Sequence, residues 1–287
     1  MMKFLHSNIY IFILIVFSLA SLSCSNDNKP KPHYKDSLKK VDKRPIDEYG
    51  QRYVVGHLGS KKVNLPSPVA GIVEYSGSPF WSKTSKYIPR SERTYDDAIT
   101  SFGFDMRMDG MLRQTYYKTP EDSRIAYQQE ERTPQSQWLS VGISANEHYA
   151  PYYGVISFDE YIERLEYKKS YPWFQTQLQD NMLYGLYIFL RPDIINPNTG
   201  KSWREDDIGY VITYVSVKNG IVQTTIDCNP NSQYENARTC TQRFSLDPEW
   251  QTKIYVSYKI ALLPRWQEIE ALIKAQMNEF VINEVIS

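Results

Sequence analysis

The chain has 287 residues, which is enough for one large domain or two small ones. It carries 33 Lys plus Arg and 33 Asp plus Glu, so its formal net charge is zero. A nucleic-acid-binding protein needs a concentrated basic surface, and this balance argues against that class. The hydrophobic content of 41% and the charged content of 23% are ordinary for a globular protein and argue against a wholly disordered chain.

The first 24 residues have the pattern of an export signal. A short polar start with Lys3 precedes an almost wholly apolar run, IYIFILIVFSLA, at residues 9–20. This run is shorter than the about 20 apolar residues that a membrane-spanning helix needs. Cys24 follows small residues at the end of the signal. An ordinary signal peptide, or an N-terminal membrane anchor with an incidental cysteine, is the alternative interpretation.

The sequence Ser21-Leu22-Ser23-Cys24 resembles the lipobox of bacterial lipoproteins. In that family the cysteine becomes the first residue and its thiol carries a diacylglycerol. The family usually has leucine where this chain has Ser21, and Leu22 is the next residue. The residue after the cysteine is Ser25 and not Asp, which by the bacterial sorting pattern implies the outer membrane. The resemblance therefore implies a signal peptide at residues 1–23, lipidation of Cys24, and anchoring to the outer membrane facing the periplasm.

Residues 24–48 are predicted to form a disordered polar tether. The segment has few apolar residues and three Pro, so it cannot bury enough apolar surface to offset the entropy of ordering. Between Lys29 and Arg44 it has seven Lys or Arg against two Asp. This basic stretch is either a solvated spacer or a segment attracted to anionic lipid headgroups. The globular region is predicted to span residues 49–287, with a possible lobe boundary near residue 150.

Two cysteines remain after Cys24, and they predict a disulfide. Cys228 and Cys240 form an even pair in a chain with an export signal, which is typical of a disulfide in an oxidising compartment. A metal site is the alternative, but two cysteines without a nearby histidine give at most half of a zinc site.

The hydrophobic patterns predict an α+β fold with a mainly antiparallel β sheet. Residues 101–108 alternate strictly between apolar and polar or small residues, which is typical of a half-buried strand. Asn219-Gly220 between two β-rich runs is a strong hairpin signal. Pro264 begins a long apolar stripe with helical spacing, so we expect a C-terminal helix packed on the sheet. Strands are predicted at 52–56, 61–65, 70–75, 101–108, 138–143, 182–190, 208–217, 221–226, 241–246 and 253–262, helices at 158–168 and 264–281, and surface loops at 76–97 and 118–136.

The order strand then helix occurs twice, at 138–168 and at 253–281, which allows two similar lobes. The two halves have little sequence identity, so a single lobe is the alternative.

Known catalytic motifs are missing from the sequence. His57 and His148 are the only histidines after residue 48, and no G-x-S-x-G motif is present. The sequence therefore predicts no catalytic residue, no metal site, no cofactor and no small-molecule substrate. A pair of carboxylates for glycoside hydrolysis stays open, because such a pair is defined only by its separation in space. The candidates in that case are Asp105 with Asp109, and the run Glu205-Asp206-Asp207.

Three further segments carry a family resemblance. They are GSKKVNLP at 59–66, SFGFDMRM at 101–108, and VSYKIALLPRWQEIEALI at 256–273 ahead of Phe280. Together with the export signal, this layout resembles periplasmic immunity lipoproteins encoded beside type VI secretion toxins, particularly those paired with phospholipase effectors. The resemblance covers the chain from Cys24 to the C terminus. It implies a protein that is not an enzyme and that binds a cognate toxin one-to-one to block its active-site cleft.

The loop NPNTGKSWREDD at residues 196–207 is the first candidate for contact with a partner protein. Tyr, Trp and Arg are enriched at binding hot spots, and this chain has 23 Tyr. The alternative is that Trp203 packs against the protein and the acidic residues are solvated. Two other functions stay open: an envelope-assembly or structural lipoprotein that binds a cell-wall or outer-membrane component, and a hydrolase of envelope polysaccharide. The candidate partner-binding residues are Trp203, Arg204, Glu205, Asp206 and Asp207.

Overall fold

The computed structural model describes residues 42–48, 50–77, 89–114, 122–149, 156–167, 176–207, 209–231, 235–246 and 248–282. The predicted signal peptide, the lipidation of Cys24 and most of the predicted tether lie outside the described residues. The predicted loops 76–97 and 118–136 lie partly outside them.

An antiparallel sheet of nine strands dominates the structure, and a separate two-stranded hairpin, β1–β2, accompanies it. The order of strands across the large sheet is β3-β4-β5-β11-β10-β9-β8-β7-β6. The structure confirms the α+β class, the mainly antiparallel sheet and the long C-terminal helix. The strands are β1 Val54–Leu58, β2 Lys61–Leu65, β3 Glu74–Tyr75, β4 Ile99–Arg107, β5 Trp138–Ala145, β6 Gln177–Leu183, β7 Leu186–Leu190, β8 Ile212–Lys218, β9 Ile221–Cys228, β10 Thr239–Ser245 and β11 Thr252–Lys259. The α-helices are α1 Asp122–Glu130, α2 Phe158–Tyr167, α3 Trp203–Asp206 and α4 Trp266–Glu279, and a 3-10 helix, Ile260–Arg265, leads into α4.

Helix α4 covers one side of the sheet, which we call the core face. The stripe predicted from the sequence points into the core, where Ile269, Ile273 and Met277 are fully buried. Phe280, just after the helix, packs edge-on against Phe104 with ring centroids 5.5 Å apart. Side chains in a strand alternate between the two faces, so every second residue of β4, β5 and β11 joins this core.

Buried polar groups attach α4 to the core face. The side-chain amide of Gln242 donates to the carbonyl of Trp266 at 3.2 Å, and the Tyr258 hydroxyl donates to the Gln242 amide oxygen at 3.1 Å. The Thr224 hydroxyl donates to the Glu270 carboxylate at 2.9 Å. A buried polar group that lacked a partner would cost about 1–3 kcal/mol, so these bonds favour this placement of the helix over others.

Three predicted elements differ in the structure. The run 182–190, predicted as one strand, is the end of β6, a turn and β7, because Tyr184 and Gly185 turn the chain with φ of 55° and 76°. Positive φ at both turn residues suits a two-residue hairpin, although the usual Asn-Gly signal is missing. The predicted loop 118–136 contains α1, and the predicted strand 70–75 is reduced to β3.

The large sheet is continuous across the lobe boundary expected near residue 150. Strand β5, before this point, pairs with β11, after it, through six residue pairs from Thr252↔Ala145 to Ser257↔Ser140. Strands from both halves of the chain therefore share one sheet and one main core.

Asn146 joins the β1–β2 hairpin to the large sheet. Its side-chain amide donates to the carbonyls of Ile99 and His57 at 2.7 and 3.0 Å, and its oxygen accepts from the Gly59 amide at 3.0 Å. The residue has φ of 49°, a left-handed conformation that asparagine tolerates better than most residues. One side chain therefore satisfies three backbone groups from two separate elements.

The disulfide between Cys228 and Cys240 is present, as predicted. The two cysteines lie opposite each other on β9 and β10, and both are fully buried in the main core. The bridge closes the loop between these two strands at a sequence separation of 12 residues.

We expect the double substitution Cys228→Ala/Cys240→Ala to lower the free energy of unfolding by about 3 kcal/mol, because the unfolded chain regains the entropy of an open loop. Guanidinium unfolding followed by tryptophan fluorescence measures the loss. The oxidised wild-type protein is the reference. An unfolding free energy within about 0.5 kcal/mol of wild type would contradict a stabilising role for the bridge.

We expect Asn146→Ala to lower the free energy of unfolding by about 2–3 kcal/mol, because it leaves three backbone groups without their partner. Asn146→Gly is the matched control, since glycine adopts the positive φ freely and removes only the side chain. A similar loss in both variants assigns the effect to the hydrogen bonds. Near-wild-type stability of the glycine variant would assign it to backbone conformation instead.

Candidate functional site

The side of the sheet opposite α4, which we call the open face, carries mostly small and polar side chains. One row crosses five adjacent strands in register, from Gly103 through Gly142, Tyr255 and Arg243 to Thr225. The next row is Asp105, Ser140, Ser257, Thr241 and Asp227. Each residue of these ten is partly or fully exposed, whereas the alternate residues of the same strands form the main core.

Helix α1 stands beside one end of the open face. Tyr127 of this helix packs edge-on against Trp138 of β5 with ring centroids 5.2 Å apart. The Arg113 guanidinium lies over the Tyr127 ring, 3.8 Å from its centroid, and pairs with Asp105 at 2.7 Å. The stacked guanidinium therefore holds the helix to β4 through both charge and ring contact.

Burial raises the pKa of Tyr127 to about 12, and the neighbouring carboxylates of Asp105 and Glu131 act in the same direction. The phenol therefore keeps its proton at physiological pH and donates it in a hydrogen bond to the Glu131 side chain. It lines a small recess at this end of the open face together with Ser140, Ser257 and Lys259.

Helix α2 stands beside the other end and covers a second, smaller core. Phe158 contacts Tyr187 at 4.5 Å between ring centroids, and Tyr161 packs edge-on against Phe189 at 5.8 Å. Val222 belongs to this cluster because β9 contains one extra residue at Gln223. Ser216 and Val217 of β8 are neighbours, yet their partners on β9 are Thr224 and Val222. This bulge shifts the alternation of side chains between the two faces of the sheet by one residue. Val222 therefore lies on the open face although Thr224 faces the core.

A cavity of about 490 Å³ lies between α2 and strands β8 to β11. Asp227 lines it and accepts hydrogen bonds from the Thr213 hydroxyl at 2.7 Å and the Arg243 guanidinium at 2.5 Å. Lys253 is buried, and its ammonium lies 4.9 Å from the centroid of the Tyr255 ring. Aromatic, cationic and anionic groups therefore line one recess, with their charges held in fixed positions.

Gly142 lies in the first row of the open face and has no side chain there. A Cβ placed on this residue would meet only the Tyr255 side chain, at an ordinary contact distance of 3.9 Å. Gly142 is not at a positive φ, so its backbone conformation does not require glycine. The absence of a side chain here leaves room above the sheet between the two helices.

The partner-binding residues predicted from the sequence lie on α3 and just after it. The Arg204 side chain donates to the Arg191 carbonyl at 2.5 Å, Asp206 accepts from the Asn196 amide at 2.9 Å, and Asp207 pairs with Arg191. Glu205 is exposed, and the side chain of Trp203 lies outside the described part. The five residues thus lie together in one segment, which hydrogen bonds and an ion pair to Arg191 and Asn196 hold in place. Of the four whose side chains the structure describes, none lines the cavity on the open face.

The sequence analysis did not predict a binding surface on the open face of the sheet. Its signal is the alternation Thr239, Thr241, Arg243 and Ser245 in β10, with Tyr255 and Ser257 of β11 on the same face. That alternation marks a solvated side of each strand. Only the register between strands brings these residues together into rows.

Within the described ranges no group of three or more His, Cys, Asp or Glu side chains could hold a metal ion. In the same part of the chain, no helix has both the length and the apolar character for a membrane crossing. Of the two histidines, His57 uses its Nδ1 in a 2.8 Å contact with the Gly59 carbonyl, inside the β1–β2 turn.

Comparisons with known proteins identify no family for this chain. No protein-family model matches the chain, and no curated protein matches it significantly. One solved structure is similar, an immunity protein of the Stenotrophomonas maltophilia type IV secretion system. It has 13% sequence identity and a TM-score of 0.46, and the match covers 82% of this chain and 96% of the other. A likeness this distant carries no statement about what the present chain binds.

We expect Arg113→Ala to loosen α1, because the substitution removes both the ion pair with Asp105 and the stacking on Tyr127. The expected loss is about 1–2 kcal/mol, seen as faster amide hydrogen exchange over residues 122–130. Arg132→Ala is the matched control, since the Arg132 side chain is 84% exposed. Equal exchange rates in wild type and in Arg113→Ala would show that the contacts of Arg113 with Tyr127 and Asp105 do not hold the helix.

Proposed function

We propose that this chain is an exported, lipid-anchored immunity protein that binds a secreted antibacterial toxin in the periplasm and neutralises it. The family resemblance in the sequence suggests a toxin of the type VI secretion kind, with a phospholipase effector as the first candidate. Anchoring through Cys24 to the outer membrane would hold the protein where such a toxin arrives. The buried disulfide supports the oxidising compartment that this location requires.

The open face is the observation that carries this proposal. The cavity between α2 and strands β8 to β11 lies on this face, and Gly103 and Gly142 leave the adjacent strands β4 and β5 without side chains in the first row. It presents Tyr255 and Arg243, two of the residue types that are enriched at binding hot spots. Protein interfaces of standard size bury about 800 Å² on each partner, and five adjacent strands offer a surface of that order.

Neutralisation by such a surface requires only tight binding. An inhibitor of this kind covers the entrance of the toxin active site, so it needs complementary shape and paired charges and no chemistry of its own. The ion pair between Asp227 and Arg243 fixes both side chains before a partner arrives. Side chains that are already ordered lose less entropy on binding. The loop with Trp203 and Glu205 is proposed as a second contact, because its internal hydrogen bonds hold it in one shape.

The experiment pairs this chain with the secreted protein encoded by the adjacent gene. We expect periplasmic expression of the full chain to rescue bacteria that carry this toxin in the periplasm, and the purified proteins to form a one-to-one complex. A variant without residues 1–23 should remain in the cytoplasm and give no rescue. If the full chain neither rescues growth nor forms a complex, the proposal is wrong, and an envelope-assembly role becomes the better explanation.

We expect Gly142→Trp to weaken toxin binding at least tenfold and to leave the fold intact. The indole would occupy the space above the floor of the open face, where a partner would sit, and the backbone accepts a side chain there. Gly142→Ala is the matched control, since its methyl group makes only an ordinary contact. Isothermal titration measures affinity, and thermal unfolding confirms the fold. Wild-type affinity of the tryptophan variant would move the interface away from the open face.

A further inference from the structure

The two edges of the large sheet differ greatly in length and exposure. Strand β3, at one edge, has two residues, and both are buried. Strand β6, at the other edge, has seven residues, and every one except Gln179 is exposed. Within the described residues, β6 is therefore the long sheet edge with solvent beside it.

Exposed apolar side chains are concentrated at this edge. Leu178 is 39% exposed, Met182 is 50% exposed and Leu183 is 38% exposed, and Tyr184 in the adjoining turn is 47% exposed. Of the ten large apolar side chains that are exposed in the described part of the chain, these four belong to one hairpin. Clustered exposed apolar side chains of this kind mark interaction sites in soluble proteins.

The open edge also presents unpaired backbone groups. Leu183 and Leu186 flank the two-residue turn, and the pair that closes such a turn exchanges both of its backbone hydrogen bonds. The next pair, Met182 with Tyr187, is then of the type that does not exchange hydrogen bonds. The N–H and C=O of Met182 therefore point away from β7, toward the solvent side of the sheet. The same alternation along β7 gives Leu178, opposite Phe189, an outward N–H and C=O.

Strand β6 lacks two devices that usually block an open edge. It contains no lysine and no proline, and its single charge is Asp180. Gln179, Asp180 and Asn181 together lie opposite only Ile188 of β7, which makes a bulge. A bulge twists an edge and hinders a second flat sheet, whereas a single extended segment can follow the twist.

We propose that β6 binds an extended segment of the toxin, which pairs with it as a tenth strand of the sheet. The proposal rests on the proposed function, because the toxin supplies the segment. Main-chain hydrogen bonds would hold the segment, and its alternate apolar side chains would pack against Leu178 and Met182.

Charge decides between this occupant and a second copy of the same chain. In the antiparallel register that pairs the whole of β6 with itself, Asp180 would lie directly opposite its own copy, and like charges in that position are unfavourable. The same carboxylate favours a segment with Lys or Arg opposite it. The expected segment is therefore a strand that combines apolar residues with one basic residue.

The test uses the full mature chain and the toxin encoded by the adjacent gene. We expect amide hydrogen exchange over residues 177–183 to slow at least tenfold in the complex. The double variant Leu178→Lys/Met182→Lys should weaken binding at least tenfold, because lysines on an open edge oppose strand addition. Asp180→Lys should weaken it as well and disturbs the fold least. Ile72→Lys is the matched control, since Ile72 is 65% exposed and lies just before β3.

The outcomes separate the two proposals. If wild type binds the toxin but β6 stays unprotected and all variants bind as wild type does, strand addition is wrong and the immunity function stands. If wild type does not bind the toxin, both proposals are wrong. If the free protein is a dimer that the double variant and Asp180→Lys both convert to a monomer, a second copy is the occupant and the proposal is overturned.

Discussion

The packing of α4 on the core face is the contact on which the rest of the structure depends. The helix buries Ile269, Ile273 and Met277 against the central strands, and each side chain of this size contributes about 1.5–3 kcal/mol when fully buried. Together with the β1–β2 hairpin, this helix packs the main core on one side of the strands, so the opposite face of the same strands does not have to be apolar. Its composition is therefore free to serve recognition.

The open face shows how that freedom is used. Thr213, Asp227 and Arg243 come from three neighbouring strands, and their side chains bond to one another. The strands are rigid because they belong to a sheet whose other side is fully packed. A partner would therefore meet a preformed pattern of charge and ring surface, with little reordering of side chains on binding.

Much of the fold could be predicted from the sequence, where the signals are local. The stripe from Trp266 to Met277 and the Asn219-Gly220 turn depend on residues close together in the chain, and both were predicted correctly. The turn at Tyr184 was missed because a tyrosine at positive φ is uncommon, and the apolar run around it gives no break in pattern. The open face could not be predicted, because its rows depend on the register of strands up to about 150 residues apart, as for Gly103 and Tyr255. Helix α1 carries a weak apolar stripe, and its place is set by contacts with Trp138 and Arg113.

The single extra residue at Gln223 affects which changes of length strand β9 can accept. Upstream of it, β9 contributes to the cluster beneath α2, and downstream of it the same strand contributes to the main core. Loss of that one residue would remove the bulge and make Val222 the direct neighbour of Thr224, so the two side chains would still lie on opposite faces and Val222 would keep its aromatic neighbours. A deletion at this position would therefore straighten the strand without exchanging its faces, whereas a deletion elsewhere in β9 would shift the side-chain alternation, and we expect related chains to differ in length at Gln223 more readily than at other positions of the strand.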